Sequence, residues 1–394
     1  MRNPSTPIRV LVVDDSAFMR KVINDILHSD PAIQVIAHAR NGKEAMGIIA
    51  QDKPDVITLD IEMPVMDGLE TLKAVMKECP LPVIMLSSLT EEGSSETIRA
   101  LELGAVDFIQ KPTLSFMITS GQFRNDLISK IKESISYRVQ AMPPHVLTSV
   151  KQEAAVQVKD HSKSSKRERI EDSHTRHESK VMIEKPPVRG MRMTTAEESS
   201  LSINRLVAIA VSTGGPKALQ SVIPFLPQNL SLPVLVVQHM PPGFTKSLAE
   251  RLNQLSQVTV KEAEQGEAIQ PGTVYIAPGD YHLTVKPFRH RLHIELTRED
   301  PVGGHRPAAD RMFDSLAESS VDEVICVVMT GMGADGTKGI KNLKCVTKTY
   351  VLAQDEQSCV VYGMPKSAVV AGVVDQVVSL ERITDAITNR IGGR

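Results

Sequence analysis

Cysteine is scarce in this chain: four residues in 394, at Cys79, Cys326, Cys345 and Cys359, with no C-x-x-C spacing among them. That usage argues against a disulfide framework and a cysteine-bound metal cluster, and suits a reducing cytosol. Long apolar runs are also missing. The N-terminus, MRNPSTPIRVLVVDD, reaches acidic residues after one short run, and nothing approaches the roughly 20 apolar residues of a membrane span, so neither secretion nor membrane insertion is expected. Charge is not in excess either. A formal net charge of −2 gives no sign of a nucleic-acid partner.

What is present is an ordinary globular composition, 41% hydrophobic and 23% charged, in a chain longer than one core usually covers. Two domains are expected. From Arg9 onward short β-branched runs alternate with amphipathic segments: RVLVVD, a helix to His28, QVIAHA, a helix, DVITLD, a helix, PVIMLS, a helix and VDFIQKP. This rhythm predicts βαβ units on a parallel sheet. After Tyr137 come about sixty residues rich in Pro, Ser, Lys, Glu and His, such as KDHSKSSKRERIEDSHTRHESK, which read as a disordered tether. Its histidines, His145, His161, His174 and His177, are too irregularly spaced for a metal site. Order resumes near Leu201 with NRLVAIAVSTGG, LPVLVVQHMPPG, TVYIAPG, a hairpin HLTVKPFRHRLHIEL, VDEVICVVMTGMGADG and TYVLAQD, a second α/β sheet. The expected division is residues 1–140, a tether over 141–202, and 203–394.

In the first domain Asp14, Asp15 and Asp60 end apolar runs, so adjacent strand ends would gather three carboxylates on one rim. Such a cluster calls for a cation, and oxygen-only ligands suit Mg²⁺. Asp60 could then act as a carboxylate nucleophile toward phosphorus. Ser87 ends the fourth run and Lys111 follows the fifth, placing a hydroxyl and an ammonium at the same rim. Each residue alone has a plainer reading: an Asp at a strand end is usually a helix cap, and Phe108 is also a plain core aromatic.

In the second domain Ser212 sits in Ser212-Thr213-Gly214-Gly215-Pro216, a sharp strand-to-helix turn that would expose its hydroxyl above a helix N-terminus. On this motif alone it is either a nucleophile or a helix cap. His239, after LPVLVVQ, is the best-placed general base among His239, His282, His290, His293 and His305. His290 and His293 read as a solvated hairpin face, whereas His282 and His305 stay open as contributors to the rim. Asp335, after a third buried run, is placed to hold the histidine tautomer that accepts the serine proton.

VLVVDDSAFMRKVI, DVITLDIEMPVMDGLETL, PVIMLSSLT and GAVDFIQKP resemble, in order and spacing, the response-regulator receiver family. That resemblance implies a flavodoxin-like domain with Asp60 as phospho-acceptor and Asp14 and Asp15 supporting Mg²⁺. It also implies a Mg²⁺-directed Glu62 carbonyl, Ser87 and Lys111 on the phosphoryl group, Phe108 as the aromatic switch, and a histidine kinase as donor. AIAVSTGGPKAL, VVQHMPPGFT, YIAPGDYHL, GGHRPAADRMFDSLA, MTGMGADGTKG and CVVYGMPKSAV resemble the catalytic domain of the CheB family, the protein-glutamate methylesterases of bacterial chemotaxis. This second resemblance implies a doubly wound parallel sheet with an antiparallel hairpin. Its implied machinery is Ser212 as nucleophile, His239 as acid/base, Asp335 as its partner and the Met332 backbone N–H as oxyanion donor. The implied activity is phosphorylation-controlled demethylation and deamidation of methyl-accepting chemotaxis receptors by a cytoplasmic monomer, with no cofactor for the esterase step. The resemblances cover roughly residues 8 to 125 and 203 to 393; the tether is longer than the family usually carries.

Two other readings compete. Gly331 to Gly336 spells G-x-G-x-x-G, with Asp355 near the distance of a ribose-binding acid. Asp335, however, would set a negative side chain against a pyrophosphate. A DNA-binding output has no basic recognition helix to support it.

Overall fold

A computed structural model of the chain describes residues 6–88, 90–112, 121–135, 204–289 and 291–392. The expected tether with its four histidines, and His290 in the hairpin, lie outside these residues.

The first sheet is assembled from β1 (Ile8–Val13), α1 (Ala17–His28), β2 (Ile33–Ala39), α2 (Gly42–Gln51), β3 (Val56–Asp60), α3 (Gly68–Glu78), β4 (Val83–Ser87), α4 (Glu91–Glu102), β5 (Asp107–Gln110) and α5 (Gln122–Ser134). All strand pairings are parallel, in the order β2-β1-β3-β4-β5. Strands β3 and β4 are buried at every position, which is why they read as unbroken apolar runs. Helices start where the sequence supplies a cap: Ser16, Asn41, Asp67 and Thr90 each accept a backbone N–H from the first turn that follows. Strand order reverses between β1 and β3, so the carboxyl ends carrying Asp14 and Asp60 flank the crevice where open α/β sheets bind ligands.

The second sheet follows with β6 (Arg205–Val211), α6 (Gly215–Gln220), β7 (Val234–Gln238), α7 (Phe244–Leu255), β8 (Thr259–Glu262), β9 (Thr273–Ile276), β10 (His282–Phe288), β11 (Arg291–Thr297), α8 (Ala309–Ala317), β12 (Glu323–Val328), α9 (Thr337–Val346), β13 (Lys348–Gln354), α10 (Met364–Val370), β14 (Gln376–Val378) and α11 (Ile383–Ile391). Seven strands pair in parallel in the order β14-β13-β12-β6-β7-β9-β8, and β10 with β11 forms the expected antiparallel hairpin. Central β6 lies between β12 and β7, a second switch point, so the loops after these three strands open on one edge. Hairpin residue His293 is half-buried, not solvated: an isolated bridge to Ala268 draws it in, and its Nδ1 faces the Gly266 carbonyl at 3.0 Å.

Both sheets fall within one compact unit. Buried Ile98, Leu101 and Phe108 from the first belong to the same apolar cluster as Phe244 and Leu248 from the second. Across this seam the Arg251 guanidinium donates to both oxygens of Glu102, at 2.6 and 3.3 Å. Among the described residues no helix is long and apolar enough to cross a membrane.

Candidate active site and phosphoryl-acceptor site

Ser212 leaves the end of β6 on a turn closed by the Gly215 N–H donating to the Ser212 carbonyl at 2.7 Å. Gly214 at φ +77° makes that turn possible, and a Cβ there would collide with Val360. His239 leaves the end of β7. Its Nδ1 lies 3.1 Å from Ser212 Oγ, and its Nε2 lies 2.7 Å from Asp335 Oδ2. The imidazole is thus turned end for end relative to the familiar serine-protease template, in which Nε2 faces the serine. The chemical relay is the same: with Asp335 ionised, Nε2 carries the proton and Nδ1 is free to accept one.

Asp335 is kept ionised by its surroundings. Its Oδ2 also accepts from Ala309 N–H at 2.6 Å, and its Oδ1 from Asp310 at 2.9 Å and Gly336 at 3.0 Å. The carboxylate therefore sits on the first turn of α8 and serves as its anionic cap from a distant part of the chain. Burial alone would raise its pKa, but His239 and these backbone donors outweigh burial and hold it below the usual carboxylate range. The arrangement also answers the glycine-rich reading. The turn into α9 is occupied by the protein's own carboxylates, since Asp310 accepts the Gly339 N–H at 2.7 Å, and Asp355 is taken up by Ser358.

A buried polar net fixes the Ser212 turn. Thr330 donates to the Thr213 carbonyl at 2.9 Å and accepts from the N–H groups of Val360 and Val361, while Gln238 donates to the Ser212 carbonyl at 3.0 Å. Gly331 passes so close that a Cβ on it would come within 2.7 Å of Ser212 Cβ. Met332, next along, is on the loop that runs past the serine and is 46% exposed. His305 is also at this rim, its ring stacked on that of His239. His282 is not: fully buried, it accepts the Ala308 N–H at Nδ1 and faces the Asp300 carbonyl through Nε2, a structural pairing.

In the first sheet, oxygens of Asp14, Asp15 and Asp60 come within 4.8 Å of one another. Lys111 Nζ bridges Asp60 at 2.6 Å and Asp14 at 2.9 Å. Burial pushes the Asp60 carboxyl up to about 6 against the pull of Lys111, and the charges of Asp14 and Asp15 add to the rise. Three crowded carboxylates balanced by one ammonium are a donor set that fits a hard divalent cation. The Ser87 hydroxyl is turned to α4, donating to the Gly93 carbonyl at 3.1 Å and accepting from Thr97 Oγ1 at 2.7 Å. Phe108 is buried, with its ring centroid 4.6 Å from that of Phe244.

Helix α5 of the first sheet reaches the rim that carries Ser212. Ser129 donates to the Met332 sulfur at 3.3 Å and to Glu133 at 2.8 Å, and Thr213 Oγ1 donates to Glu133 Oε2 at 3.4 Å. Burial there raises the Glu133 carboxyl. Sequence reasoning missed Glu133, Ser129, Phe244 and the Thr330–Gln238 net. Helix α5 itself was not among the elements read from the sequence, and nothing in the pattern names a partner.

A receiver-type acceptor site and a serine–histidine–aspartate site on one chain define a class: a hydrolase carrying its own regulatory module. The comparisons with known proteins agree. Residues 10–118 match the response regulator receiver domain family and residues 207–387 match the CheB methylesterase family. A protein-glutamate methylesterase/protein-glutamine glutaminase of Bacillus subtilis (strain 168) is 46% identical over 383 residues, covering 97% of this chain and 98% of the relative. Another, from Syntrophomonas wolfei, is 44% identical over 387 residues, covering 97% and 99%. The crystal structure of the Thermotoga maritima CheB methylesterase catalytic domain is 47% identical and covers 47% of this chain and 97% of that one, with a TM-score of 0.46. The chain belongs to the CheB methylesterase family.

Proposed function

We propose that this chain hydrolyses glutamate methyl esters, and deamidates glutamines, on methyl-accepting chemotaxis receptors, using Ser212, His239 and Asp335. The observation that carries the reading is the unbroken relay from Ser212 Oγ through His239 at 3.1 Å to Asp335 at 2.7 Å. His239 Nδ1 takes the serine proton as Oγ attacks the ester carbonyl, and Asp335 steadies the resulting imidazolium across Nε2. The Met332 N–H is assigned to the developing oxyanion. Collapse of the tetrahedral intermediate expels methanol, which takes its proton from His239; for a glutamine the leaving group is ammonia. Water, deprotonated by the same Nδ1, then attacks the acyl carbon, and a receptor carboxylate is released with Ser212 restored.

Regulation is assigned to a receiver over residues 1–140, joined through 141–202 to the catalytic part over 203–394. Asp60 accepts a phosphoryl group from a chemotaxis histidine kinase, and Ser87 and Lys111 contact that group, with Phe108 as the switch. Asp14, Asp15 and Asp60 would hold Mg²⁺, which when bound supplies charge neutralisation for phosphoryl transfer. Contacts of α5 with Met332 and Thr213 support a resting state in which the receiver covers the hydrolytic rim, and phosphorylation of Asp60 releases it. The protein acts as a cytoplasmic monomer in this reading. Methanol release from methylated receptor membranes tests the regulation: a phosphoryl donor should accelerate wild type and leave Asp60→Asn unchanged. Equal wild-type rates with and without donor would contradict it.

A further inference from the structure

His305 is presented to the active site by a stiff platform. Val302 and His305 exchange two backbone hydrogen bonds of 3.0 Å around Gly303 and Gly304, both at positive φ, as a two-residue primed turn requires. The next residue, Arg306, anchors the platform by donating to Asp280 and to the carbonyl of Glu299, both at 3.0 Å, and its own carbonyl accepts the Asp280 N–H. Three residues further on, Ala309 and Asp310 donate to Asp335. One short segment therefore delivers a ring to the face of His239 and a helix N-terminus to the carboxylate that holds its edge. The rings of His239 and His305 lie 4.0 Å apart and within 9° of parallel.

Two hydrogen bonds at opposite ring nitrogens fix the His239 imidazole within its plane but leave it free to tilt about the line joining them. A parallel ring at van der Waals distance removes that freedom. A neutral ring also offers its π face to the positive charge that His239 acquires in each half-reaction. We propose that His305 is a positioning residue for hydrolysis, bracing His239 against tilt and stabilising its imidazolium; this rests on the assignment of Ser212, His239 and Asp335 as the reacting set.

His239 faces the His305 ring, and the charges of Asp335 and, from α5, Lys130 also act on it. Although the residue is exposed, partial desolvation, followed by the charge of His239, pushes its imidazole down to about 4, so it is neutral where the enzyme works.

The test uses the full chain with phosphoryl donor, assaying methanol release from methylated receptor as kcat and KM across pH. His305→Ala should lower kcat by roughly three- to thirtyfold with little change in KM, the range a face-on ring contact to a cation supplies. The acid limb of its kcat profile should move to lower pH, because His239 holds its proton less tightly. His305→Phe keeps a ring in place and should recover most of kcat and the position of the limb. Equal losses in both variants, or no loss in either, would overturn the bracing role. A loss beyond roughly a thousandfold in both would instead make His305 a proton carrier in its own right. Ser212→Ala run alongside separates the two readings: turnover surviving in that variant would remove the reacting set itself, whatever His305 does.

Discussion

Phe108, inside the fifth receiver strand, packs its ring against Phe244, the first residue of the helix that follows the His239 loop, with centroids 4.6 Å apart and both side chains buried. A receiver aromatic and α7 thus share one packed contact only five residues along the chain from His239. Phe108→Ala empties this position. Urea unfolding should show a loss of about 3 kcal/mol, as for other buried Phe truncations, and methanol release without phosphoryl donor should rise. A stability loss with an unchanged basal rate would show that the contact does not transmit the receiver's state.

Asp335→Asn keeps shape but removes the charge that orients Nε2–H and caps α8. The predicted outcome is a fall in kcat on the order of 10⁴-fold, as when the aspartate of a comparable triad is neutralised, with KM nearly unchanged. A drop of less than tenfold in steady-state methanol release would contradict the orienting role.

Arg251 and Glu102 tie α7 to α4 in a two-pronged ion pair with both side chains about a quarter exposed on average, at 32% and 20%. Partly solvated pairs of this kind contribute up to about 1 kcal/mol, so Arg251→Ala should raise the basal, unphosphorylated rate by roughly two- to fivefold. A double-mutant cycle with Glu102→Ala, read as basal methanol release, checks that the two effects are shared and not additive.

Glu323 supplies one pH-sensitive contribution to stability in the second sheet. Burial acts to raise its pKa, but Arg390, Arg205 and Lys348 outweigh burial and leave it depressed in the folded protein. A depressed folded value means the stabilisation is complete above the unfolded value of about 4.3 and is lost as pH falls through the folded one. Glu323→Gln should therefore cost about 2 kcal/mol near pH 7, and the gap to wild type in denaturant midpoint should close as the pH is taken below about 4. A gap that stays constant across this range would remove Glu323 as its source.

Strand ends were the legible part of this protein. Fully buried strands such as β3, β4 and β7 leave apolar runs in the sequence, and polar residues at or just past their ends mark the candidate rim, so Asp60, Ser87 and His239 could be singled out by position. What could not be read depends on contacts distant in sequence. Asp335 caps a helix that begins 26 residues earlier, and Ser129 meets Met332 across 203 residues, with no periodicity to announce either. His305 differs again: it was left open as a contributor to the rim, and only the folded chain brings its ring onto that of His239.

The most direct test of the account is the rate of methanol release from methyl-esterified receptor by the phosphorylated full chain carrying Ser212→Ala. A fall of at least about 10³-fold relative to wild type is expected, because the variant lacks the hydroxyl assigned to take the acyl group. A variant rate within tenfold of wild type would contradict it.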